Sequence, residues 1–225
     1  MPIKQKIPQM NKPDFLKAFQ PGQKLISRLG HMTLTSYQLG HLILTSGKLV
    51  ACDPLVFPGT DPFDVQFKPG HYPVILSVAH NSKDDNITVA YAMLRLSEQI
   101  PVKWELATKF GENLSTLSEN EVFGYGVDSG TGCFMDADTS QIIVDQCWEA
   151  ETYEESLTCK LEETIEENYS LGYNWANLCV DDSTQANVIA FDSGVGDGFY
   201  ASYFGLDIEG CIVAVVTEFL SGELP

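Results

Sequence analysis

The chain has 225 residues, 44% of them hydrophobic and 11% aromatic, enough for a sizeable core, which excludes a disordered chain. Its 31 acidic residues against 13 basic ones give a formal net charge of −18. A surface of that sign repels phosphate backbones and anionic lipid, so the expected partners include no nucleic acid and no membrane, while a basic protein or a bound cation remains compatible.

The first residues, MPIKQKIPQMNKPDF, are basic and interrupted by Pro2, Pro8 and Pro13. They contain no apolar run of signal-peptide length, and no later segment is apolar enough to span a bilayer. The expectation is a soluble, cytoplasmic protein with a single domain over 1–225. Residues 1–20 are read as an N-terminal extension with a short helix at 12–19, which has Asp14 near its start and Pro21-Gly22 after its end. Two related pieces follow, GHMTLTS (30–36) and GHLILTS (40–46), and the YQLG between them predicts a hairpin. GKLVACDPLVF reads as a strand that stops at Asp53-Pro54. Residues 70–96 predict a second hairpin, with the polar tip NSKDDN at 81–86. The segment 102–109 fits no template well. Residues 120–145 read as strand, glycine-rich turn, then more strand.

From Trp148 to Tyr169 the period changes. Tyr153, Leu157, Leu161, Ile165 and Tyr169 recur every four residues, with glutamates at 149, 151, 154, 155, 162, 163, 166 and 167 between them. That pattern predicts one long amphipathic helix near 148–169 with an acidic outer face. The remaining runs, WANLCV, NVIAF, FYASYFGLD and CIVAVVTEF, are β-branched and aromatic and are separated by turn residues. The fold class is therefore α+β, mainly antiparallel β-sheets in a sandwich-like arrangement with a few helices. The six cysteines form no C-x-x-C pair and are read as reduced thiols, with Cys179 and Cys211 placed in the core.

Two stretches share one pattern: GVDSGTGCF at 126–134 and AFDSGVGDGF at 190–199. A pair of aspartates sharing one proton is the chemistry of aspartic proteases. Yet 64 residues between Asp128 and Asp192 are too few for the lobe such enzymes interpose. The phosphate turn of actin-like ATPases fits VDSGTG locally, but no Lys or Arg stands nearby to meet phosphate. Ser129 and Asp192 are read most simply as turn residues, because glycine supplies positive φ and Asp or Ser bonds nearby backbone N–H groups. Each motif runs on into further carboxylates: Asp136 and Asp138 after the first, Asp197 and Asp207 after the second, with Tyr200 and Tyr203 between. Carboxylates on loops at one end of a sheet bind a hard cation such as calcium or magnesium through oxygen. No histidine spacing predicts zinc.

As a set, ACDPLVF, KPGHYPV, YGVDSGTGCFMD, ANVIAFDSGVGDGFYASYFGLD and VVTEF resemble an uncharacterised bacterial domain-of-unknown-function family over roughly residues 40–220. The resemblance implies recurrent polar positions at Asp53, Tyr72, Asp128, Gly130, Asp136, Gly194, Asp197, Gly198, Tyr200, Gly205 and Asp207. Of these, Asp53, Tyr72, Gly130, Gly194 and Gly198 are taken as ligand-binding. The resemblance carries no activity with it.

Two functions are expected from different classes. One is an acidic binding domain, an inhibitor or antitoxin-like partner of a basic protein, without a cofactor. The other is a hydrolase-type enzyme in which Asp128, Asp136, Asp197 and Asp207 gather around a divalent cation or a water and Tyr200 or Tyr203 orients the substrate. The cation is the only cofactor either reading admits.

Overall fold

A computed structural model describes residues 14–81, 83, 86–119, 121–169 and 172–225. The basic segment 1–13 and residues 82, 84 and 85 of the polar tip at 81–86 lie outside the described residues. Two antiparallel sheets face one another. The larger joins β13 (Gly222–Glu223), β1 (Lys24–Ser27), β2 (Gly30–Leu44), β4 (Gly70–Asn81), β5 (Asn86–Arg95), β12 (Ile212–Glu218), β11 (Gly198–Leu206) and β6 (Lys103–Leu106) in that order, and β7 (Tyr125–Val127) also pairs with β11. The smaller runs β3 (Leu49–Cys52), β8 (Thr131–Asp136), β10 (Ala186–Asp192) and β9 (Trp175–Asp181).

The apolar pattern explains the layering. Along β10, Ile189 and Phe191 point to the larger sheet, where they meet Leu42, Leu76, Leu94 and Val215. Val188 and Ala190 point the other way, onto Ile143, Leu157 and Leu161. Side chains alternate with period two, so a strand covered on both faces must be apolar throughout. That is why β3 and β8 are buried at every position. On the outer face of the larger sheet, Phe15 and Ala18 of α1 (Phe15–Ala18) cover Leu25, Leu34 and Tyr91. Helices thus cap both sides of a β-sandwich, and α+β is the observed class.

Several local expectations are corrected. The hairpin expected over 30–46 is one continuous strand, β2, paired with β4 from Thr33–His80 to Leu44–Gly70. The YQLG segment is a bulge at Gln38/Gly40 rather than a turn, because β4 is long enough to continue the ladder on both sides of it. The strand expected to run to 145 ends at Asp136, whose carboxylate accepts from Asp138 N at 2.9 Å and starts helix α2 (Ala137–Glu149). The acidic amphipathic helix near 148–169 is present as α3 (Leu157–Glu167). It begins later than expected because Ser156 caps it, accepting from Cys159 N at 3.1 Å. A short 3-10 turn at Tyr153–Glu155 precedes it. All six cysteines are free thiols, but Cys179 and Cys211 are exposed. Cys179 lies on the edge strand β9 and Cys211 in the β11–β12 connection. The buried thiols are Cys52 and Cys133 instead, a cross-strand pair with sulfurs 3.7 Å apart.

Candidate functional site

The two glycine-rich bends meet. Ser193 N donates to Gly130 O at 2.9 Å, joining the second bend to the first. Gly130 (φ +71°) and Gly194 (φ +60°) both lie in the left-handed region that glycine adopts without strain. A Cβ at Gly194 would come within 2.7 Å of Phe219 O, so the position is closed to other residues on space as well. The first bend is built on Asp53, fully buried at the end of β3. Its Oδ2 accepts from Asp128 N (3.0 Å) and Ser129 N (2.8 Å), and its Oδ1 from Ser129 Oγ (2.8 Å), Leu55 N (3.0 Å) and Val56 N (3.1 Å). The second bend is held from within. Ser193 Oγ donates to Gly196 O at 2.9 Å, and the Tyr200 hydroxyl lies 2.6 Å from the same carbonyl and 3.0 Å from Ser193 O.

This junction brings Asp128 and Asp197 together. The β7–β11 ladder ends on the pair Val127–Gly198, and the next residue on each strand is Asp128 and Asp197. Both are exposed. Asp192 stands apart. Its carboxylate accepts from Asn174 N at 2.8 Å, and burial pushes its pKa up, against the lowering effect of those Asn174 bonds.

The other carboxylates expected at the site are elsewhere. Asp136 is fully buried and saturated at the far end of β8. It accepts from Thr45 Oγ1 (3.1 Å), Ser46 N (3.1 Å), Ser46 Oγ (2.6 Å), Gly47 N (3.0 Å) and Asp138 N (2.9 Å). Asp207 sits past the opposite end of β11 from Asp197, a nine-residue strand away, or roughly 30 Å. There it accepts from Glu209 N and Cys211 N, both at 2.9 Å, and shapes the hairpin turn. A gathering of Asp128, Asp136, Asp197 and Asp207 does not occur. Among the described residues no three His, Cys, Asp or Glu side chains are grouped so as to hold a metal ion.

Tyr72, on β4 opposite Leu42, donates to Lys68 O at 2.7 Å and is remote from both bends in the sheet order. Gly205 is a packing position, where a Cβ would meet the Trp104 ring at 2.7 Å. Gly198 lies against the Tyr200 ring, 3.0 Å from where its Cβ would stand. Tyr200 packs between the sheets and Tyr203 on the outer face, its ring tilted at 37° to that of Phe15 with centroids 4.8 Å apart. Both tyrosines nonetheless border one cleft of about 450 Å3, together with Phe199, Arg28, Ser221 and Glu218. Glu218 had not been expected at a site. Its signal in the sequence is a lone carboxylate closing the apolar run CIVAVVT. Burial raises its pKa, offset in part by a hydrogen bond from Ser221. Burial and the nearby Glu218 push the Tyr203 phenol up to about 12.

The helical side of the molecule has a different character. Residues 145–169 hold nine carboxylates and one lysine. Leu157 and Leu161 are buried against the smaller sheet, while Glu163, Glu166 and Glu167 face solvent. Three aromatic side chains stand among these acids: Trp148 is 86% exposed, Tyr153 53% and Tyr169 64%.

A family model described as a protein of unknown function (DUF4241) matches residues 42–217. No curated protein and no solved structure matches the chain. No helix among the described residues is long and apolar enough to cross a membrane.

Proposed function

We propose that this chain, which belongs to the DUF4241 family, is an acidic protein-binding domain that recognises a basic protein through the face formed by α2 and α3. One observation carries the reading: large aromatic side chains lie exposed inside a field of carboxylates. Trp148, Tyr153 and Tyr169 leave apolar rings in water, which a monomer gains nothing from. Aromatic residues are the usual anchors of interfaces, and lysine or arginine docks favourably on their faces. The glutamates around them draw a basic partner in and reject acidic ones. The role such a domain plays is that of an inhibitory or antitoxin-like partner.

The hydrolase reading retains one favourable observation, Asp128 beside Asp197. It lacks the third and fourth carboxylates it was built on, since Asp136 and Asp207 serve a helix cap and a hairpin turn.

Binding of poly-L-lysine and of lysozyme, measured by Trp fluorescence and calorimetry, tests the location of the surface. A variant carrying Glu163→Gln, Glu166→Gln and Glu167→Gln is expected to bind about tenfold more weakly, three pair interactions of a few tenths to one kcal/mol each. A control that removes the same charge elsewhere, Asp61→Asn with Glu119→Gln and Glu209→Gln, changes affinity about twofold or less. Equal loss in both variants, or none in either, overturns the assignment of the face.

A further inference from the structure

We infer that the cleft beside Glu218 is a binding site for an organic ammonium group, borne by a small free amine or by a lysine side chain. It is independent of the acidic face just described. That face lies beyond the smaller sheet, whereas this cleft opens on the larger one.

The cleft, about 450 Å3, is of the size that receives a small ligand. Its polar floor is a carboxylate in an unusual place. β12 lies in the interior of the larger sheet, with β5 on one side and β11 on the other, and Glu218 is in register with Tyr91 and Ala201. A carboxylate there is taken partly out of water, at a cost that a cation normally offsets. Among the described residues, the group that partly offsets this for Glu218 is the neutral hydroxyl of Ser221. The groups facing it from adjoining strands are the Tyr91 phenol of β5 and the Tyr203 phenol of β11, and both feel its negative charge. The Tyr91 hydroxyl is itself buried without a hydrogen-bond partner among the described residues.

Arg28 also borders the cleft, following the Ser27–Gly222 pair that joins β1 to β13. Arg28 acts on Tyr200, and there Asp197 opposes it. Among the described residues no cation forms an ion pair with Glu218. The aromatic side chains on the Glu218 face of β11 are Tyr203 and the exposed ring of Phe199. A carboxylate at the floor with aromatic faces around it is complementary to a protonated amine, which gains a charge-assisted hydrogen bond and cation–π contact together. An anion is repelled by Glu218, and a neutral ligand leaves its charge unmet.

Benzylammonium, with benzyl alcohol as its neutral counterpart, is the probe, read by ligand-observed NMR and calorimetry on the full chain. Nα-acetyl-lysine amide, with its Nε-acetylated form, is the second pair. Preference for benzylammonium alone identifies a free amine, and preference for the unmodified lysine side chain alone identifies a protein or peptide source. The charged member of at least one pair is expected to bind about tenfold or more tightly than its neutral match. Affinity should rise as pH rises from the ordinary carboxylate range to neutrality. Glu218 is held protonated at low pH by its burial, and an ammonium binds its ionised form. Glu218→Gln should erase the preference while remaining at least as stable at neutral pH, because the raised pKa means that ionised Glu218 opposes folding there. Phe199→Ala, at an exposed position that leaves the fold intact, should weaken ammonium binding several-fold. Equal affinity for charged and neutral members of both pairs, no binding of either, or a preference that survives Glu218→Gln overturns the inference.

Discussion

At the scale of single residues, the most constrained positions in the molecule are two carboxylates that its own backbone occupies. Asp53 and Asp136 each accept five hydrogen bonds, three of those to Asp53 coming from Asp128 and Ser129 and four of those to Asp136 from Thr45, Ser46 and Gly47. Neither has a free oxygen lone pair aimed at solvent. Each carboxylate is a brace: Asp53 holds the first glycine-rich bend, and Asp136 holds residues 45–47 against the start of α2. Asp53→Ala would remove the carboxylate that accepts from the part-buried Asp128 and Ser129 amides, the Ser129 hydroxyl and the Leu55 and Val56 amides. It is expected to cost about 3–5 kcal/mol of unfolding free energy in urea titration. Asp53→Asn, which keeps one acceptor oxygen, should cost less. A loss under about 1 kcal/mol for the alanine variant would contradict the bracing role. The resemblance picked out Asp53 from its motif. Its role was illegible because the donors that saturate it lie 75 and 76 positions away.

At the scale of elements, caps and bulges decided what periodicity alone misassigned. The four-residue spacing from Tyr153 to Tyr169 is real, and α3 buries Leu157 and Leu161 on the face it predicts. The helix nonetheless starts only at Leu157, because the Ser156 hydroxyl satisfies the Cys159 amide and chain direction changes there. Ser156→Ala is expected to lower stability by about 1 kcal/mol, with faster amide exchange confined to the first turn of α3. Uniform change across the molecule would show instead that the cap acts on the whole fold. The segment IIVDQC had the composition of a strand. It forms α2 because Asp136 caps it at the point where β8 ends, so this carboxylate serves as a helix N-cap. In the same way Gly40 lets β2 bulge rather than turn, and the echo of GHMTLTS in GHLILTS lies along one strand.

At the scale of the whole molecule, charge and layering dominate. A net charge of −18 sets up self-repulsion that favours the unfolded chain, in which the charges stand farther apart. Salt screens this repulsion, with a Debye length that shrinks from about 30 Å at 0.01 M to about 8 Å at 0.15 M. The melting temperature is therefore expected to rise by several degrees over that range in calorimetry. A fall would mean that specific ion pairs outweigh the repulsion. Affinity for a basic partner should move the other way and weaken over the same range, which separates the two effects of one charge distribution.

What the chain determines locally is its composition, its runs of alternating or continuous apolar residues, its acidic helix and its glycine bends. These depend on a residue and its near neighbours, and they suffice for the α+β class and the sandwich. Tertiary structure alone decided which carboxylates meet. Asp128 and Asp197 share a rim because β7 pairs with β11 in one register, while Asp207, in the same motif as Asp197, is carried off by the full length of a strand. It also decided that Glu218, an unremarked residue at the end of an apolar run, stands among Tyr91, Tyr203 and Ser221. Sheet pairing joins residues by register across long loops, and no window along the chain contains that information.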